Sequence, residues 1–171
     1  PWYSQLKGMR FAALRYFNAA GYDPTGIIKG LEQEPGNLMP IVMEAVMGTR
    51  EKVVVFGDDY DTKDGTCLRD YIHVTDLATA HVQALEHISS RNEDLTLNLG
   101  TSKGISVLEI LEVTKKLSGV DFKVEIGPRR AGDPAVVLAE AKQANEILGW
   151  APKHSDVHTL VQSMLDTYRG Q

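Results

Sequence analysis

The chain has 171 residues, of which 43% are hydrophobic and 24% charged, and its formal net charge is −5 at pH 7. This composition is typical of a globular chain with one ordinary domain core, and the negative charge argues against nonspecific nucleic-acid binding. No apolar run is long enough to span a membrane, no signal peptide is evident, and the single cysteine, Cys67, suits a reducing compartment, so we expect a cytoplasmic protein.

Apolar runs and helical periodicities alternate along the chain, with turn residues between them. Pro40 and Gly48 bracket one predicted helix. Thr75 or Asp76 is the expected N-cap of the next helix, and Gly119 is expected to end a third. In chain order, the predicted elements are a strand over residues 9–17, a loop over 22–37, a helix over 38–46, a strand over 53–56, a helix beginning near 75, a strand over 95–99, a helix over 107–118, a strand over 122–126, a short helix over 143–148 and a final helix beginning near 156. Strands alternating with helices predict an α/β fold, although roughly five short strands are few for a complete doubly wound sheet.

The stretch from Gly65 to Asp76 connects a predicted strand to a predicted helix and reads Gly-Thr-Cys-Leu-Arg-Asp-Tyr-Ile-His-Val-Thr-Asp. Arg69 at such a boundary has the charge and geometry to hold an anion. A structural ion pair between Arg69 and Asp70 is the alternative interpretation.

Three apparent motifs carry no function in our interpretation. Tyr3 to Lys7 matches Tyr-x-x-x-Lys, but Gly8 ends any helix one residue later, so we read it as the end of a helix whose start is missing. Asp59 to Gly65 resembles a calcium loop with the wrong residues at its ligand and turn positions. The five histidines lack metal-ligand spacing, so no metal site is predicted.

Four motifs, taken in order, closely resemble the UDP-glucose 4-epimerases of the extended short-chain dehydrogenase/reductase family. The resemblance covers the whole chain and corresponds to only the C-terminal half of that enzyme. The four motifs are Leu-Arg-Tyr-Phe-Asn-Ala-Ala-Gly at residues 14–21, Asn-Leu-Met-Pro at 37–40, Phe-Gly-Asp-Asp-Tyr at 56–60 followed by Gly65 to Val74, and Gly-Pro-Arg-Arg-Ala-Gly-Asp-Pro at 127–134.

The resemblance implies two parts with discontinuous sequence. Residues 1–21 and 74–100 would be a remnant of the NAD-binding Rossmann domain, and the strands over 9–17 and 95–99 would share one sheet. Residues 22–73 and 101–171 would form the smaller α/β domain that binds a UDP-sugar. Partial Rossmann-type sheet elements beside this substrate-binding domain are therefore the expected fold.

The resemblance also implies a set of site residues. Arg69 and Arg130 would grip the diphosphate, and Asp133 would accept a hydrogen bond from the ribose. Val137 falls where the family varies side-chain size and would line the sugar end, while Tyr16 would lie close to the nicotinamide. The remaining implied substrate contacts are Asn18, Asn37, Leu38, Val55, Phe56 and Val107. Several have simpler explanations, because Tyr16, Val55, Phe56 and Val107 are also core residue types and Asn37 is also a helix-cap type.

The enzyme that the resemblance implies transfers hydride between C4 of the hexose and tightly bound NAD, while a tyrosine moves the hydroxyl proton. The chain has no Gly-x-Gly-x-x-Gly sequence after a strand, and the family's catalytic residues correspond to positions before Pro1. We therefore expect no catalytic residue in this chain, no tight NAD binding by it alone, and a homodimer for the full enzyme. Two alternatives remain open, namely an epimerase of another UDP-sugar and a non-catalytic remnant that binds UDP or oligomerises.

Overall fold

The computed structural model describes residues 6–170, and within that range lie five complete α-helices and nine short β-strands. The mixed α/β class is confirmed. In chain order the elements are β1 (Ala12–Arg15), β2 (Asn18–Ala20), α1 (Leu38–Val46), β3 (Lys52–Phe56), β4 (Leu68–Arg69), β5 (Tyr71–His73), α2 (Val74–Arg91), β6 (Leu95–Asn98), β7 (Ile105–Ser106), α3 (Val107–Ser118), β8 (Lys123–Gly127), β9 (Val136–Val137), α4 (Lys142–Leu148) and α5 (Val157–Arg169).

Both ends of α3 follow their capping signals. The Ser106 hydroxyl accepts a hydrogen bond from the Glu109 amide at the start of α3, and Gly119 ends that helix with φ 72°. At the start of α2, however, the N-cap is His73, whose Nδ1 accepts from the Thr75 amide, and not Thr75 or Asp76. The reason is that β5 runs directly into α2, and the Asp76 carboxylate is used elsewhere in the fold.

The strands form four small ladders in place of one continuous sheet. β1 pairs in parallel with β6, as expected for residues 9–17 and 95–99, and β2 pairs in parallel with β5. β3 pairs in parallel with β8. β4 lies between antiparallel β7 and parallel β9. The strand count is higher than the sequence predicted because five of the nine strands have only two or three residues.

Two hydrophobic cores stabilise these ladders. The first is formed by the buried faces of α1, α3 and α5 against β3, with Met43, Ile110 and Leu165 almost fully buried. The second lies where α2 and α4 cover β5 and β6, and it includes Leu97, Ala144 and Trp150. Helix α4 therefore packs beside the β1–β6 pair. Among the described residues, no helix combines the length and apolar character needed to cross a membrane.

Candidate functional site

A cavity of about 400 Å³ opens beside the ends of β2 and β3 and the beginning of α1. Such a volume lies within the range of pockets that hold small organic ligands. We call it the Arg69 cavity, and its lining residues are Phe17, Asn18, Ala19, Ala20, Gly36, Asn37, Leu38, Met39, Pro40, Ile41, Val54, Val55, Phe56, Gly57, Cys67, Arg69, Tyr71, Val107, Arg130 and Asp133. Nine of the ten predicted substrate contacts belong to this set, so residues more than 100 positions apart converge on one cavity.

Arg69 is held in the cavity wall by strand pairing and by an ion pair. Its guanidinium donates to the Asp133 carboxylate and, at 2.8 Å, to the Leu68 carbonyl, and its side chain is only 15% exposed. The ion pair with Asp70 that the sequence left open does not form. Neighbouring strand residues point to opposite faces, and the Asp70 carboxylate therefore lies on the other side of β4–β5.

Arg130 covers the face of Phe56, with its guanidinium carbon 3.9 Å from the ring centroid. Phe56 is 36% exposed, so its ring is partly available to another planar group. The adjacent Arg129 is used differently. It pairs with Asp59 at 2.5 Å and lies 4.1 Å over the Tyr60 ring, outside the lining of the cavity.

The N-terminus of α1 also borders the cavity through Asn37 and Leu38. Asn37 occupies the N-cap position, but its side chain makes no capping hydrogen bond, so its amide group is not used in the way that a simple helix cap would use it. Unpaired N–H groups and the helix dipole make the beginning of a helix favourable for anions. Val107, half-buried, begins α3 on another side of the same cavity.

Asn18 and Val55 occupy more confined positions. The Asn18 side-chain amide donates to the Asp70 carbonyl at 3.1 Å, which fixes its orientation at the start of β2. Val55 is 1% exposed and belongs to the first hydrophobic core, so it packs as a core residue as well as bordering the cavity.

Two predicted site residues do not line the cavity. Val137 is half-buried on β9, where it pairs with Arg69 in the strand register. Tyr16 is 41% exposed and packs edge-on against His81 at 6.3 Å. Tyr3, of the discounted Tyr-x-x-x-Lys pattern, lies outside the described residues. The roles of Val137 and Tyr16 stay predictions.

Sequence reasoning missed Cys67 and Tyr71, which flank Arg69 at two residues on either side and also line the cavity. The alternation of side chains along an extended segment could have identified both. Burial raises the pKa of the Tyr71 hydroxyl to about 12, so this group stays protonated at neutral pH and can donate a hydrogen bond. The Cys67 thiol lies 3.8 Å from the second Asp133 oxygen.

The arrangement favours a ligand that combines an anionic group with a flat apolar group. Two guanidinium groups and a helix N-terminus supply positive potential, while Phe56 and Val55 supply an apolar wall. Within residues 6–170, the structure contains no group of three or more His, Cys, Asp or Glu side chains that could hold a metal ion.

Comparison with known proteins gives a consistent family. The UDP-glucose 4-epimerase of Halalkalibacterium halodurans is 47% identical over 161 residues, which cover 94% of this chain and 48% of that relative. The crystal structure of the Bifidobacterium longum UDP-glucose 4-epimerase in complex with NAD+ and UDP matches with a TM-score of 0.85 and 37% identity, over 99% of this chain and 50% of that one.

The Stenotrophomonas maltophila UDP-glucose 4-epimerase, solved with NAD and formylated UDP-arabinopyranose, matches with a TM-score of 0.92 and 40% identity, over 99% of this chain and 50% of that one. The chain thus spans about half the length of the relatives that it matches. Residues 2–100 match the NAD dependent epimerase/dehydratase family, and the chain therefore belongs to that family.

Proposed function

We propose that this chain is the C-terminal, UDP-sugar-binding part of a UDP-glucose 4-epimerase, which interconverts UDP-galactose and UDP-glucose in galactose metabolism. The observation that carries the proposal is the convergence of Arg69, Arg130 and the α1 N-terminus on a cavity with an aromatic wall. A nucleoside diphosphate has the matching parts, since its diphosphate is anionic and its base is flat. The Bifidobacterium longum relative, solved with UDP, supports the same assignment.

In this proposal each predicted substrate contact has a defined part. Arg69 and Arg130 bind the diphosphate, and Asn37 and Leu38 lie beside the phosphate and nucleoside. Phe56 and Val55 hold the uracil edge. The remaining assignments are Asp133 to the ribose hydroxyls, Val107 to the nucleoside, Asn18 to the sugar and phosphate, and Val137 to the sugar end.

The ion pair between Arg69 and Asp133 gives this proposal a specific consequence. Both groups are partly exposed, with 15% and 28% of their side chains accessible. A diphosphate that takes hydrogen bonds from Arg69 competes with Asp133 for the guanidinium, and Asp133 is then released toward a ribose hydroxyl. The cavity therefore exchanges an internal ion pair for ligand contacts, which offsets part of the cost of desolvating the arginine.

In this proposal the described residues contribute only a small part of the dinucleotide site. Tyr16 presents one aromatic edge at the end of β1, and a single side chain cannot hold a cofactor with two nucleotides. We therefore assign NAD binding, the catalytic residues and proton transfer to the rest of the enzyme, with Tyr16 touching the nicotinamide in the assembled protein. Residues 1–21 and 74–100 would join that cofactor domain, and the full enzyme would be a cytoplasmic homodimer.

An epimerase of another UDP-sugar is the second candidate. It is favoured by the Stenotrophomonas maltophila relative, whose structure holds a UDP-pentose derivative. The contacts to UDP would be the same for both candidates, because they do not involve the sugar.

Calorimetric titration of the 171-residue chain with UDP tests the proposal. We expect saturable binding of UDP and much weaker binding of uridine, because uridine lacks the groups that the arginines hold. Absence of UDP binding by a folded chain would refute the proposed site.

In a parallel assay with UDP-galactose and added NAD, we expect no turnover by this chain alone. Turnover that Tyr3→Phe abolishes would contradict the assignment of catalysis to the rest of the enzyme.

A further inference from the structure

Asp70 is a buried carboxylate that lies outside the cavity lining although both of its neighbours, Arg69 and Tyr71, line it. Only 1% of the residue is exposed. One oxygen accepts from the Thr101 amide at 2.9 Å and from the Thr101 hydroxyl at 2.8 Å. The other accepts from the amides of Ser102 at 3.0 Å and Ala139 at 3.1 Å. Four donors from two separate segments thus converge on one side chain.

The backbone of Asp70 makes further hydrogen bonds, on the side that faces the cavity. Its carbonyl accepts from the Asn18 side-chain amide at 3.1 Å and from the Asn18 backbone amide at 3.3 Å. Its own amide donates to the Val137 carbonyl at 3.1 Å. Asp70 therefore connects β2, the loop after β6 and the segment after β9.

These hydrogen bonds of Asp70 determine where Arg69 can lie. Arg69 pairs with Ile105 of β7 on one side and with Val137 of β9 on the other. The Asp70 carboxylate binds the loop that leads into β7 and the residues that follow β9, so both partners of Arg69 are held by the next residue in the chain. Side-chain alternation then directs Arg69 to the cavity and Asp70 away from it.

We propose that Asp70 is a positioning residue for the diphosphate subsite, acting through Arg69 and Asn18 without touching the ligand. The proposal rests on the proposed function, because it concerns the same UDP site. Asp70 would fix the direction of the Arg69 N–H groups, on which charge-assisted hydrogen bonds to a diphosphate depend.

The loop that Asp70 binds approaches the Asp70 carboxylate closely at Gly100. A Cβ atom on Gly100 would lie 2.6 Å from an Asp70 carboxylate oxygen and 2.5 Å from the Ala139 Cβ. Only glycine lets the backbone approach this closely.

Asp70→Asn is the most informative variant because it keeps size and shape while replacing one acceptor by a donor. In one orientation the NH2 group faces the backbone N–H donors of Ser102 and Ala139, and in the other it faces the N–H donor and the hydroxyl of Thr101, so either way at least one backbone N–H loses its acceptor. The loop or the β9 segment must then shift, and Arg69 shifts with them.

The test compares UDP with uridine by calorimetry in the 171-residue chain, with far-ultraviolet circular dichroism to confirm folding. We expect Asp70→Asn to weaken UDP binding by about tenfold or more and uridine binding by less than about twofold. In a double-mutant cycle, Asp70→Asn should have a smaller effect on UDP binding once Arg69→Ala is present, because only its effect through Asn18 then remains. Equal losses for UDP and uridine, or independent effects in the cycle, would overturn the proposal.

Thr101→Val provides a second variant if Asp70→Asn does not fold. It removes one hydroxyl donor and leaves the carboxylate in place, so we expect a smaller loss with the same preference for UDP over uridine. A Thr101→Val chain that folds and loses no affinity for UDP contradicts the proposal. Failure of the unaltered chain to bind UDP would instead refute the proposed function itself.

Discussion

Two groups of polar residues lie at opposite ends of β5, and they differ in how completely their hydrogen bonds are used. The Asp76 cluster, which consists of Asp76, His73, His154, Ser155 and Ser163, is closed around the Asp76 carboxylate, whose side chain is 4% exposed, although the His154 side chain is 43% exposed. The Asp76 carboxylate accepts from the Ser155 hydroxyl at 2.6 Å, from the His154 ring at 2.9 Å and from the amides of Lys153 and His154. His73 donates its amide to Ser155 at 2.9 Å and contacts the Ser163 hydroxyl at 3.2 Å.

The Arg69 cavity has the opposite character. Arg69 and Asp133 are paired yet partly exposed, and Arg130 rests on Phe56 at the surface. These groups have hydrogen-bonding capacity that water or a ligand can take up. The comparison indicates that burial alone does not identify a functional site. A saturated network connects segments of the fold, whereas an unsaturated one at a cavity is available for binding.

Removing the centre of the closed cluster should have the largest effect. Asp76→Ala leaves its donors without an acceptor in a buried place, and we expect a loss of about 3–5 kcal/mol in the free energy of unfolding. Urea denaturation of the 171-residue chain measures this loss. The matched control is Asp121→Ala, which breaks an exposed pair with Lys115 whose aspartate side chain is 90% exposed. Similar losses in both variants would show that the Asp76 cluster has no special role in stability.

In the open site the largest expected effect is on affinity. Arg130→Ala should weaken UDP binding by about 1.5–3 kcal/mol, the range of a hydrogen bond to a charged group, or about 10- to 150-fold in Kd. Arg129→Ala is the control because its guanidinium is engaged by Asp59 and Tyr60 outside the cavity lining. Calorimetry that finds the two variants equally weakened would remove Arg130 from the proposed site.

A glycine beside the closed cluster allows a sharper test of its packing. Gly21 has φ +81°, and a Cβ atom there would lie 2.4 Å from the His73 ring. Gly26 has φ +69° with no atom within 4 Å of such a Cβ, so it experiences the same kind of backbone strain without the collision. We expect Gly21→Ala to destabilise the chain by about 1–3 kcal/mol more than Gly26→Ala, the usual cost of overpacking. Equal losses in thermal or urea unfolding would mean that the His73 ring can move aside.

Local signals in the sequence were sufficient for the long helices, whereas the strand predicted over residues 9–17 is limited to Ala12–Arg15. Helix α1 has the predicted limits, Leu38 and Val46, because proline and glycine mark its ends. The two-residue strands were not predicted, since a pair such as Leu68–Arg69 is a strand only through its partners on β7 and β9, which are far away in sequence. Periodicity cannot detect elements of that length.

The candidate site was predictable only in part, and for the same reason. The family resemblance identified nine of the lining residues. The pairing of Arg69 with Asp133, however, joins positions 64 apart and has no local signature in the sequence. The Asp76 cluster was missed altogether, because its partners arrive from the segment after α4. His73 was missed as an N-cap because histidine is not a usual capping residue type.

The smallest expected effect concerns the pH dependence of stability, and it follows from the tautomer of His73. Its Nδ1 accepts a hydrogen bond from the Thr75 amide at 3.1 Å, so the neutral ring carries its proton on Nε2, which donates to the Ser163 hydroxyl. Burial lowers the pKa of His73, and nearby His154 acts in the same direction, while Asp76 and Asp156 oppose the shift. Protonation of Nδ1 would also remove the capping acceptor of α2.

Because the pKa of His73 in the folded chain lies below the reference value of 6.5, unfolded chains bind more protons as the pH falls through that value. The free energy of unfolding should therefore decrease from about pH 7 to about pH 5, and the loss is complete only below the folded-state pKa.

Asp76 contributes to the pH dependence of stability in a lower pH range. Burial raises the pKa of Asp76, but hydrogen bonds from Ser155 and His154 outweigh that effect, so its contribution is lost only as the pH falls below 3.8. His73→Asn keeps an acceptor for the Thr75 amide without a titrating ring, and urea denaturation at the two pH values should show a smaller decrease in this variant than in the unaltered chain. An equal decrease in both would show that His73 does not cause the pH dependence.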